Sequence, residues 1–138
     1  MKRISHKALL AMAASISIVS MTHFAEAQTT STRTVVTRSD ISVANYEAVV
    51  FRVEVPPSAT SGWHTHPGEE IAYVIDGEIT LEVAANAPRK YGSGEAFVVP
   101  AGVVHNGTNH GAGTARLASV LVTEKGTPLA TLASAPPK

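Results

Sequence analysis

With 138 residues, 11 basic against 11 acidic side chains and no cysteine, the chain suits a single domain and can use no thiolate as metal ligand or nucleophile. No run of basic residues occurs anywhere, so nucleic acid and anionic membrane surfaces are not expected partners.

Met1 to Ala27 reads as a secretory signal peptide. Lys2, Arg3 and Lys7 form a basic start, Ala8 to Val19 an apolar run, and Ala25-Glu26-Ala27 an A-x-A cleavage site. The apolar run is shorter than the roughly 20 residues that span a bilayer. Cleavage after Ala27 is therefore expected, giving a periplasmic or secreted product without a stable membrane anchor. The remaining chain would hold eight basic and ten acidic residues. Residues 28–34 are polar and Thr-rich and read as a flexible lead-in.

From residue 35 to 123 the pattern is that of strands. Val35 to Thr37 is followed by Tyr46 to Val55, where Val49, Phe51, Val53 and Val55 alternate with Val50, Arg52 and Glu54. Arg52 and Glu54 fit a cross-strand surface pair better than a substrate contact. Pro56-Pro57-Ser58 ends this run. Glu70 to Ile75 and Glu78 to Val83 flank Asp76-Gly77, a two-residue hairpin signal. Ala96 to Val99, Val103 to Gly107 and Ala115 to Thr123 supply further strands. Helical periodicity is absent after Val19. Short strands separated by Gly, Pro and Asn turns indicate an all-β antiparallel barrel or sandwich. Residues 124–138 form a tail that is disordered or crosses the surface, and there is no internal repeat or second domain.

Chemistry concentrates at His64, His66, Glu70 and His105. Alternate strand residues share a face, so His64 and His66 put both imidazoles on one side, roughly 7 Å apart along the strand. Pro67-Gly68 breaks the strand and lets Glu70 re-enter. Three nitrogens and one carboxylate suit a single divalent transition ion: Fe, Mn, Ni, Co or Zn. A six-coordinate ion would keep two positions for substrate, water or dioxygen. With Glu70 facing inward, Ala72 and Val74 face inward too, and with Val103 they would wall a small dry pocket. Glu69, the nearest candidate general base, then faces away. Ile71, Tyr73 and Ile75 form a second apolar row, more than one barrel wall needs, which points to a second subunit. Trp63 and Tyr73 read as packing residues, and His110 as a surface turn residue.

Gly62-Trp63-His64-Thr65-His66-Pro67-Gly68-Glu69-Glu70 through Gly77 resembles the first cupin motif, and Gly94 through Pro100, Gly102, His105 and Asn109 resembles the second. The first motif's leading glycine is replaced by Ser58. The chain is thus similar to small single-domain bacterial cupins of the type-2, quercetin dioxygenase-like kind. That resemblance implies a double-stranded β-helix (jelly-roll) barrel and a metal held by His64, His66, Glu70 and His105. It also implies a homodimer. Dioxygenase-like, lyase and isomerase activities on a small oxygenated molecule are all compatible with it. The alternative is a non-catalytic module that binds a small ligand or the metal. Fold alone does not choose among these.

Overall fold

Short runs of alternating polarity, punctuated by Gly, Pro and Asn, fold as strands because each can bury one face and leave the other wet. A computed structural model describes residues 30–137. The expected signal peptide and its cleavage site lie outside the described residues. In chain order the elements are β1 (Thr32–Asp40), β2 (Tyr46–Val55), β3 (His64–Thr65), β4 (Glu69–Asp76), β5 (Glu78–Val83), β6 (Arg89–Gly92), β7 (Ala96–Val99), β8 (His105–Thr108), β9 (Ala115–Glu124) and β10 (Thr131–Leu132).

They form two five-stranded sheets, ordered β1-β2-β9-β4-β7 and β10-β3-β8-β5-β6, with antiparallel pairing throughout. This is the jelly-roll, double-stranded β-helix expected from the sequence. Its core lies between the sheets. Val55, Ala72, Val74, Leu117 and Val99 come from the first sheet and meet Ile79, Leu81 and Tyr91 from the second. Val49, Phe51 and Leu121 extend the core at one end. The expected parity holds in β4, where Glu70, Ala72 and Val74 are buried while Ile71, Tyr73 and Ile75 are exposed.

Two expectations change. Asp76-Gly77 is not a hairpin turn, because β4 pairs with β7 and β9 whereas β5 pairs with β6 and β8. One residue separates the two strands, too few to reverse the chain within a sheet. Gly77 instead turns a corner between sheets at φ +78°, and a Cβ there would stand 2.9 Å from the Ala115 Cα. The lead-in is not loose as far as residue 34, since Thr32 and Arg33 pair with Glu54 and Val53 of β2. The tail takes the surface-crossing course of the two expected, with Thr131 and Leu132 exposed on a sheet edge. Thr131 and Leu132 pair with Thr65 and His64, and the Ala133 amide donates to the Trp63 carbonyl.

Ser58, standing where the first motif usually has glycine, adopts φ +60°. The turn demands a left-handed residue whichever side chain occupies it. Arg52 is exposed, and Glu54 finds its ion pair in Arg116 of the adjacent β9, 3.5 Å away. Tyr73 packs against nothing inside the barrel and lies on the outer face, 48% exposed.

Candidate metal centre

The four candidate ligands come from three strands and one turn. His64 in β3 stands opposite His105 in β8, and Glu70 in β4 approaches from the other sheet. His66 follows β3, where its carbonyl accepts from the Gly102 amide at 2.8 Å, so the second motif's turn fixes the first motif's backbone. Gly68 permits the return to Glu70. A Cβ there would overlap the Val122 carbonyl oxygen, so no other residue lets this segment lie against β9. All four side chains are buried, and one ligand atom from each lies within 4.8 Å of the others.

Each imidazole is oriented by a backbone carbonyl. Nδ1 of His64 lies 2.7 Å from the Gly62 oxygen, Nδ1 of His66 lies 2.6 Å from the Leu129 oxygen, and Nδ1 of His105 lies 2.9 Å from the Val103 oxygen. A carbonyl only accepts, so each Nδ1 carries the proton and each Nε2 turns a lone pair inward. The Nε2 atoms of His64 and His66 are 3.1 Å apart. Two lone pairs that close repel unless a cation or proton lies between them. His105 Nε2 is buried without a hydrogen-bond partner, although Glu70 Oε2 lies 3.2 Å away. Glu70 Oε2 is also 3.4 Å from His66 Nε2. Donors about 2.0–2.2 Å from one ion stand about 3.0–3.5 Å apart, so these separations fit a single transition ion.

Burial pushes the pKa of His64 down to about 4, against the opposing pull of its Gly62 hydrogen bond, so at neutral pH the ring is in its ligating form. Burial alone would raise the pKa of Glu70. Hydrogen bonding from His105 and His66 when their Nε2 carries a proton, and the charge of Arg33, reverse that and hold its carboxyl well below the usual range. Glu70 is therefore ionised before any ion arrives. Its second oxygen, Oε1, accepts from Ser119 Oγ at 2.5 Å and from Arg33 Nη2.

Neither Arg33 nor Ser119 was among the residues expected at the site. Ser119 carried a signal: it shares the inward parity of Leu117 and Leu121, a hydroxyl on an otherwise apolar face. Arg33 carried none, lying in a Thr-rich stretch without alternation. Glu69 is exposed and faces away, as parity required, and His110 is exposed in a loop.

Beside the four side chains lies a cavity of about 230 Å³. Ala72 lines it as expected, but Val74 and Val103 do not. Val53, Val55, Ile79, Leu81, Phe97 and Leu117 supply most of the apolar wall instead. Among the described residues, no carboxylate or imidazole outside the proposed ligand set reaches this wall. The arrangement can hold one divalent ion with its remaining positions facing a small, largely apolar chamber.

Residues 51–122 match the family model described as a cupin domain. Germin-like protein 3-7 of Oryza sativa subsp. japonica is 32% identical over 76 residues, covering 51% of this chain and 33% of that protein. The chain thus spans about a third of that relative's length. A double-stranded β-helix protein from Klebsiella pneumoniae superposes with a TM-score of 0.63 at 24% identity, over 76% of this chain and 85% of the other, a likeness of fold. A recombinant oxalate oxidase in complex with glycolate gives a TM-score of 0.55 at 26% identity, over 62% and 45% of the two chains. DMSP lyase DddQ from Ruegeria pomeroyi gives 0.54 at 25%, over 62% and 42%.

Proposed function

The chain belongs to the cupin domain family, and from that premise we propose that it is a metal-dependent, dioxygenase-like enzyme acting on a small oxygenated organic molecule. One observation carries the reading: three inward Nε2 atoms and one carboxylate oxygen converge beside a small apolar cavity. His64, His66, Glu70 and His105 would hold the ion. An ion of this kind, when bound, supplies a Lewis acid and, if it is redox-active, a route to dioxygen chemistry. The three carbonyls aim the imidazoles, Ser119 and Arg33 hold Glu70, and the apolar wall lines the space beside them. No further base lines the cavity among the described residues, which favours oxidation over a lyase or isomerase that withdraws a proton with its own side chain. The likeness to an oxalate oxidase supports the same ordering, and that to a lyase keeps the second class in view.

Export with cleavage after Ala27 and assembly as a homodimer belong to the same reading. The leader's three-part composition supports the first, and the exposed row Ile71, Tyr73 and Ile75 supports the second. Mass spectrometry of protein recovered from the periplasm should find a chain beginning at Gln28; an intact leader would refute cleavage.

The test of function is elemental analysis followed by oxygen uptake with hydroxy acids, β-diketones and flavonols. Wild type should carry about one equivalent of transition metal and consume oxygen with at least one class. His105→Ala should lose both while staying folded. A fully metallated protein inert toward every class would sink the enzymatic reading and leave a metal- or ligand-binding module.

A further inference from the structure

The cavity wall carries one guanidinium, and it does not come from the matched family stretch. Arg33 reaches in from β1, the edge strand ahead of residues 51–122. Its guanidinium carbon Cζ sits over the Phe51 ring, 4.2 Å from the centroid, which fixes the head group in place. Nη2 donates to Glu70 Oε1 and to Ser119 Oγ, the latter at 3.3 Å. Nη1 lies 3.3 Å from His66 Nε2, and Nε is buried without any partner.

The lone pair on His66 Nε2 has two claimants. Its Nδ1 proton is committed to the Leu129 carbonyl, so Nε2 can accept from Arg33 or bind an ion, not both. Once His66 serves as a ligand, Nη1 loses its acceptor. Nη1 is then a donor without a protein acceptor at the edge of an apolar chamber, while Nη2 stays anchored on Glu70 and Ser119. Unpaired guanidinium donors in such a place are costly. Three neutral imidazoles, one carboxylate, a divalent ion and a guanidinium also leave the chamber positively charged. Both features call for a small anion, and a carboxylate accepts a charge-assisted hydrogen bond of the kind Nη1 can donate.

We propose that Arg33 positions the carboxylate of a small carboxylic acid, such as a 2-hydroxy acid, beside the four-ligand centre. Nη1 donates to the carboxylate, which holds the rest of the molecule toward the ligands. This deepens the metal-centre reading and rests on it. Arg33 is a positioning residue and makes no bond to the ion.

The test uses glycolate and its uncharged counterpart glycolamide, titrated calorimetrically into cobalt(II)-loaded wild type, Arg33→Met and Arg33→Lys. Cobalt content and melting temperature are followed in parallel. Glycolate affinity should fall about tenfold to a hundredfold in Arg33→Met, the loss of a charge-assisted bond, and recover in part in Arg33→Lys. Glycolamide should bind wild type and Arg33→Met alike when the titrations are compared at equal cobalt content, brought to one equivalent with excess ion. Equal glycolate affinity in all three proteins, or cobalt-loaded wild type that ignores glycolate, would overturn the role of Arg33 and leave the metal centre standing. Wild type that takes up no cobalt would overturn the metal-centre reading and this inference together. Should Arg33→Met fail to fold, Arg33→Lys and the wild-type preference for glycolate over glycolamide decide the matter; a preference near one overturns the proposal.

Discussion

Ser119 shows how a single hydroxyl off the ligand list can govern the centre. It is 1% exposed, flanked on its own face by Leu117 and Leu121, and its proton goes to the Glu70 oxygen that does not face the imidazoles. Removing that donor frees the carboxylate to rotate and weakens its hold on an ion. Ser119→Ala is expected to lower metal affinity about tenfold to a hundredfold, with little change in melting temperature of the metal-free protein. Competition against a chromophoric zinc chelator measures this, and unchanged affinity would show that Arg33 alone suffices to hold Glu70. The ligands themselves were legible in the sequence because strand parity and the Pro67-Gly68 break translate directly into which atoms face inward. Arg33 was not legible. Its reach depends on where β1 lies across β2, and its own stretch carries no alternation. The Leu129 carbonyl was equally hidden, since a backbone acceptor leaves no trace in residue type.

At the scale of elements, the β4–β5 junction separates what local sequence encodes from what pairing decides. Asp76-Gly77 has the residue types of a hairpin, yet the two strands part into opposite sheets. A turn signal reports the backbone conformation a residue tolerates, whereas the choice of partner strand depends on β9 and β8, far along the chain. Gly77 satisfies both demands of the corner, a positive φ and close passage by Ala115. Gly77→Ala should therefore destabilise the protein by about 2 kcal/mol or more, through left-handed strain combined with backbone crowding. Urea unfolding would show this as a lower midpoint with unchanged slope. A midpoint equal to wild type would mean that the corner can open without cost. The final strand β10 follows the same rule. Nothing in Thr131-Leu132 announces a strand, and β3 provides the edge on which it forms.

At the scale of the molecule, the outer face of the first sheet is the feature that one chain does not explain. Register places Val98, Ile71, Val120 and Val50 side by side across β7, β4, β9 and β2. Tyr73 and Ile75 continue the apolar surface along β4, each about half exposed. The strand alternation that buries Glu70, Ala72 and Val74 forces these residues outward, so the patch cannot be hidden by any rearrangement within the barrel. Arg52, Glu54 and Arg116 lie to one side of it as a polar margin. An apolar centre with a charged margin on a sheet face is self-complementary under a two-fold axis, and a second copy of this chain is the occupant we propose. Light scattering at micromolar concentration should return twice the chain mass for wild type. Tyr73→Glu should return the single-chain mass, because a charge at the centre of an apolar contact must be desolvated without a partner. Tyr73 is on the opposite face of β4 from Glu70, so the variant should keep its metal, which separates loss of assembly from loss of fold. A single-chain mass for wild type itself would refute the dimer and leave the patch without an occupant.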